Sequence, residues 1–237
     1  MDDSFKWLTD FYATLKVRSP LNIEFIIPRV FERYFLIHEN YGIIDEFPFD
    51  DYPESNAKIE DLNKRHELER YYEIFLRDSE DRECLYRPIT LKELAARFHT
   101  DYSVDMLENI KDTPGIWPLR ERTFERIERL INIIKKQDSL FLYVSDYYRF
   151  NHDNRIKEDM QTKEKDELKK VFDYIDFQFR SNKDSCSYLF PIGHSWCLAT
   201  FEDFPHFIFG CDTTTAEKLS LVDELEYFET SEEYKLP

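Results

Sequence analysis

Through the first 137 positions of the chain, apolar side chains recur every three to four residues. After Gln137 they come in short runs and alternations bounded by turn residues. Periods near 3.6 and 2 mark helices and half-buried strands respectively, so this change of period constrains the fold more than any other feature. It implies an α+β protein in which a mainly helical part, residues 1–137, packs on an α+β part, residues 138–237. The sheet of the second part is expected to be mainly antiparallel with flanking helices, and the two parts form two domains or one continuous domain.

In the helical part, Phe5, Leu8, Tyr12 and Leu15 share one face of a first helix that Ser19-Pro20 ends. Pro28 is placed to open a second helix through Val30, Phe31, Tyr34, Phe35 and Ile37, with Gly42 as its left-handed stop. The segment IIDEFPFDDYPES reads as a loop. A charged helix over residues 56–77 follows, with Ile59, Leu62, His66, Tyr72 and Phe75 toward the core. Thr90 and Glu93 form a capping box ahead of the stripe Leu91, Leu94, Ala95 and Phe98. A short helix over 104–110 and the turn TPGIWP precede a helix over 119–136, where Phe124, Ile127, Leu130, Ile131 and Ile134 line one face.

Beyond Gln137, LFLYVSDYY reads as a strand, the polar stretch 151–167 as a loop or helix start, and 163–180 as a helix. SYLFPIG, SWCLATFE and HFIFGCD then read as three successive strands, Thr213 to Thr215 as the cap of a short helix, and LEYFE as a closing strand.

Composition removes several functions. Four glycines in 237 residues, none close to another, leave no loop to cradle phosphates. Cys84, Cys186, Cys197 and Cys211 form no CxxC pair and read as reduced, mostly buried thiols. There is no apolar run of the roughly 18 residues a membrane span needs, and the amino terminus lacks the basic and apolar regions of a signal peptide, so a cytoplasmic protein is expected. A net charge of −17 opposes binding to nucleic acid or to an anionic membrane surface.

The stretch IGHSWCLATFEDFPHFIFGCD concentrates chemistry-bearing side chains. His194, Cys197, His206 and Cys211 imitate zinc-ligand spacing, but strand alternation puts Cys197, Ala199 and Phe201 on one face and Trp196 and Leu198 on the other. His206 and Cys211 also fall on opposite faces. A Cys197 nucleophile paired with His206 meets acidic surroundings that raise a thiol pKa. No catalytic residue, metal or cofactor is assigned. The stretch reads as the central hairpin of the sheet, with its turn at 202–205 and His206 as the exposed part.

Two binding readings remain. TLKELAARF resembles the first helix of a helix-turn-helix unit, and a DNA-contacting module over 90–136 would place Arg122, Arg126 and Arg129 on phosphates. Its reading helix, however, would present Asp105 and Glu108 to the groove. The other reading starts from two segments that mix acids with aromatics: Asp45, Glu46, Asp50, Asp51 and Tyr52, and Glu226, Tyr227, Glu229 and Glu233. Residues 184–237 hold two basic and eleven acidic side chains, a net of −9. Such surfaces suit capture of a basic protein partner, steered by charge and fixed by aromatics. In size, charge and cytoplasmic character the chain resembles the acidic immunity and antitoxin proteins of bacteria. That resemblance implies a non-enzymatic inhibitor whose partner is a basic toxin.

Overall fold

The computed structural model describes residues 6–14, 23–52, 59–77, 85–107, 113–134, 140–146, 172, 185–201, 206–231 and 233–235. In chain order its elements are α1 (Lys6–Thr14), β1 (Arg33–His38), β2 (Tyr41–Ile43), α2 (Ile59–Arg77), β3 (Arg87–Ile89), α3 (Leu91–Arg97) and β4 (Ile116–Pro118). Then come α4 (Arg120–Ile134), β5 (Leu140–Asp146), β6 (Ser185–Pro191), β7 (Trp196–Phe201), β8 (His206–Cys211), α5 (Thr213–Ala216) and β9 (Tyr227–Thr230). The fold is α+β, as the change of period implies. The chain forms two compact units, residues 1–39 with 120–237, and residues 40–119. The change of texture at residue 137 thus lies inside the first unit, between α4 and the strands it covers.

The first unit is built on a six-stranded antiparallel sheet in the order β5-β6-β7-β8-β1-β9. Alternation sorts its side chains onto two faces. On one, Phe35, Ile37, Phe207, Phe209, Leu198, Trp196, Leu189 and Leu140 form a continuous core with Ile127, Leu130, Ile131 and Ile134 of α4. Each fully buried side chain of that size contributes about 1.5–3 kcal/mol. The other face carries Tyr34, Leu36, Ile208, Ala199, Tyr188 and Phe190, and the amino-terminal segment lies on it. There the Tyr188 hydroxyl donates to the Ile26 carbonyl at 2.7 Å, and the Tyr34 hydroxyl to the Pro28 carbonyl at 3.0 Å. Trp7 stands edge-on to Phe190, and the Phe31 ring fills the place that a Cβ on Gly210 would need, 2.4 Å away. The hairpin parity read from the sequence holds: Trp196 and Leu198 share one face, Cys197 and Ala199 the other.

Residues 28–42 depart from expectation. The expected helix is replaced by the strands β1 and β2. Tyr34 through His38 are all buried because β1 is an interior strand, covered on both faces. Such a strand reads as an unbroken apolar run, which spacing cannot tell from a buried helix.

The second unit holds the three-stranded antiparallel sheet β3-β2-β4 with α2 and α3. Gly42 stands where the Tyr86 Cβ would lie only 2.5 Å from an added Cβ. The capping box forms as the sequence predicts: the Glu93 amide donates to the Thr90 hydroxyl and the Thr90 amide to the Glu93 carboxylate. His66 does not face the core. Its side chain is 77% exposed, because the packed stripe of α2 runs through Arg65 and Glu69 instead.

The expected helix over 163–180 (apart from Phe172), the loop 151–167, the turn 202–205 and the end of the short helix over 104–110 lie outside the described residues. Among the described residues no helix is long and apolar enough to cross a membrane.

Candidate functional site

The first acidic-aromatic segment belongs to the second unit, and its aromatic side chains turn inward. Phe47 is buried with Ile44, Tyr86 and Leu119, and Phe49, Tyr52 and Leu85 pack against that cluster. Gly115 permits this: a Cβ there would sit 2.6 Å from Phe47 and 2.7 Å from Phe49. The Arg97 guanidinium lies over Phe49 and that of Arg65 over Tyr52, at 4.9 and 5.2 Å from the ring centroids. The Tyr52 hydroxyl donates to Glu69 at 2.6 Å, and Arg65 Nε donates to the same oxygen at 2.8 Å. Burial first, and then the Glu69 carboxylate, push the Tyr52 hydroxyl pKa up. For Glu69, burial works against the charge, but the bonds from Arg65 and Tyr52 outweigh it and hold the carboxyl below its ordinary range.

The acids of this segment divide. Both Asp45 oxygens accept from Arg87, at 2.6 and 2.8 Å, and that pairing lowers the Asp45 pKa. Asp51 takes a longer contact from Lys64 at 3.3 Å. Glu46, Asp50 and Asp51 are exposed.

The second segment belongs to the first unit and forms β9, an edge strand. The His38 amide donates to the Glu226 carbonyl at 2.9 Å. With the register that pairs Ile37 with Tyr227, this makes His38/Glu226, Leu36/Phe228 and Tyr34/Thr230 the hydrogen-bonded pairs. Tyr227 and Glu229 therefore direct their main-chain N–H and C=O groups away from β1. Among the described residues no strand pairs with β9 on that side. The Tyr227 ring packs edge-on to Phe35, and the Glu229 oxygens accept from Arg33 Nε and Nη2 at 2.7 and 2.6 Å, which lowers the Glu229 pKa. Glu226 is half-buried, while Glu229 and Glu233 are exposed.

Three of the four arginines of α4, Arg120, Arg122 and Arg126, bind carboxylates within the first unit. Glu224, held in a left-handed backbone conformation with φ 62°, accepts from Arg122 at 2.9 Å and from Arg126, and those bonds lower its pKa. Arg126 is buried, Arg120 reaches the buried Glu39 carboxylate at 3.1 Å, and Arg129 is exposed.

In the central hairpin the four ligand-like residues separate. His194 sits in the turn before β7, with φ 51° and its ring against Trp7, 4.7 Å between centroids. Cys197 lies opposite Gly210, four residues from His206, about 13 Å along the strand. Burial raises the Cys197 thiol far above its ordinary value. Burial and the neighbouring Asp212 carry Cys211 up to about 12. Neither thiol supplies a thiolate at neutral pH. His206 is not exposed as expected; it is buried directly across from His38.

That His38/His206 pair is what sequence reasoning missed. The ring centroids are 4.1 Å apart, and Phe228 closes on His38 at 5.0 Å. Among the described residues neither ring nitrogen of His38 has a hydrogen-bond partner. An unsatisfied buried polar group costs about 1–3 kcal/mol. Burial, and then the adjacent His206, hold the His38 pKa well below its ordinary value, so the ring is neutral. A signal was present in the mirrored runs Phe35-Leu36-Ile37-His38 and His206-Phe207-Ile208-Phe209, which pair antiparallel with the histidines opposed. Comparison with protein-family models, with curated proteins and with solved structures found no match to this chain.

Proposed function

We propose that the protein binds a basic protein partner and that β9 with its acidic flanks is the principal contact. The observation that carries this reading is the coincidence of outward-directed main-chain groups at Tyr227 and Glu229 of an edge strand with the carboxylates of Glu226 and Glu233 that flank it, beside the Arg33-paired Glu229. An unpaired edge accepts an extended segment by adding a strand, and carboxylates beside it select lysines and arginines over acids. Self-pairing through β9 would oppose like charges. In the other unit Glu46, Asp50 and Asp51 are exposed, without a ring of outward aromatics. An immunity or antitoxin role, in which the partner is a toxin blocked by this contact, is the form of the proposal that the charge and size of the chain favour. It places the protein in the cytoplasm and assigns it no catalysis. Contact with DNA through α4 is the weaker reading, since Glu224 engages Arg122 and Arg126.

Affinity capture from extracts of the source cell, with the wild type and an E226K/E233K variant, tests the reading. The expected result is a basic polypeptide that the wild type retains in dilute salt, concentrated salt releases, and the variant loses. Retention of nothing basic, or equal retention by the variant, overturns it.

A further inference from the structure

We infer that the segment β9 accepts is an extended stretch whose centre is an apolar, β-branched pair and whose two ends carry lysine or arginine. The inference rests on the proposed contact at β9 and adds the sequence class of what binds there.

The edges of the two sheets are built differently. In the three-stranded sheet the Ile44 amide donates to the Gly115 carbonyl and the Leu119 amide to the Asn40 carbonyl. Gly42 therefore bonds towards β4, and Tyr41 and Ile43 bond towards β3. The outward positions are then Pro88 on β3, and Ile116 and Pro118 on β4. A proline offers no N–H, and the Ile116 amide is already bonded to the Thr113 carbonyl at 2.9 Å. Neither edge directs a spare amide outward, a usual protection against strand addition. β9 contains no proline, and Tyr227 and Glu229 each direct an N–H and a C=O outward. β5, the opposite edge of the larger sheet, bears one charged side chain, Asp146, whereas β9 is flanked by Glu226 and Glu233.

Alternation assigns what each added side chain meets. The Tyr227 ring lies on the α4 side, edge-on to Phe35, and the Phe228 ring on the other side, 5.0 Å from the His38 ring. Both are half-buried, so residues opposite them extend an aromatic surface, for which β-branched side chains are good cross-strand partners. Glu229 is paired with Arg33 and calls for a neutral polar neighbour. Glu226 at one end and Glu233 beyond the other attract cations. The pattern keeps basic ends and an apolar centre whichever way the added strand runs. Those basic ends exclude a second copy of β9, whose own flanks are acidic.

The test is an NMR titration of the full chain with three synthetic peptides whose ends are acetylated and amidated. They are Lys-Thr-Val-Val-Lys, the same residues shuffled as Val-Lys-Thr-Lys-Val, and Glu-Thr-Val-Val-Glu. The first should shift the Tyr227 and Glu229 amides and bind at least about tenfold more tightly than either of the others. E226K should weaken that binding, and changing the facing lysine of the peptide to glutamate should restore it. Equal binding of the shuffled peptide at β9 overturns the pattern and leaves β9 as the contact, as does a captured partner that protects β9 but carries no such segment. No binding of the first peptide, or shifts confined to residues outside β9, overturns the inference. So do concentration-dependent shifts at Tyr227 and Glu229 in the free chain, which would mark a second copy as the occupant.

Discussion

At the scale of single residues, burial holds the His38 ring below the ordinary histidine range, and the adjacent His206 adds to the shift. The rings facing it are those of His206 from β8 and Phe228 from β9. A folded pKa lower than the unfolded one leaves stability intact above the unfolded value, about 6.5, and withdraws it as the pH falls below that, where the unfolded chain takes a proton that the native ring refuses. The urea midpoint should therefore fall between about pH 7.5 and pH 5.5, and His38→Phe should flatten that fall. Identical pH profiles for the two proteins would count against a neutral His38. The thiols give a second test at this scale: alkylation followed by peptide mapping should find Cys197 and Cys211 protected in native protein and labelled only in denaturant. Rapid native labelling at either would contradict their burial. The thiol character was legible in the absence of any CxxC spacing; the neutrality of His38 was not, because it depends on a strand pairing across 168 residues of chain.

The elements read most directly have local contacts, whereas β1, fixed by distant partners, was not read as a strand. The capping box at Thr90 and the apolar face of α4 are written within single turns of helix, and both appear as the spacing demands. Thr90→Ala should cost about 1 kcal/mol in denaturant unfolding, with no change expected in the sheet. β1 was misread because its neighbours, β8 and β9, come more than 160 residues later and make an apolar run into an interior strand. The place of His66 on α2 was misread for a similar reason: Tyr52, outside the helix, bonds Glu69, and His66 is left in water. Gly210 gives the sheet its most specific test. A methyl there would meet the Phe31 ring, so Gly210→Ala should destabilise by about 1–3 kcal/mol, whereas Gly193→Ala, with nothing within 4 Å of the added Cβ, should be nearly silent. Equal effects of the two substitutions would contradict the packing of the amino-terminal segment on that face.

For the whole molecule, the net charge of −17 gives a field that speeds encounter with a basic partner and weakens as salt rises. The sequence made the two acidic-aromatic segments visible but not how they would be used. In the first segment the aromatics turned inward to build a core under arginines. In the second the strand lay at the edge of a sheet, a position that composition cannot announce. The two segments belong to different units, so the proposed contact is β9 rather than a combined surface. Amide hydrogen exchange on the captured complex tests that claim most directly. If a partner adds a strand at β9, the outward amides of Tyr227 and Glu229 should exchange more slowly in the complex, with smaller changes at the already bonded Phe228 and Thr230. Protection confined to residues outside β9, with Tyr227 and Glu229 unchanged, would contradict it.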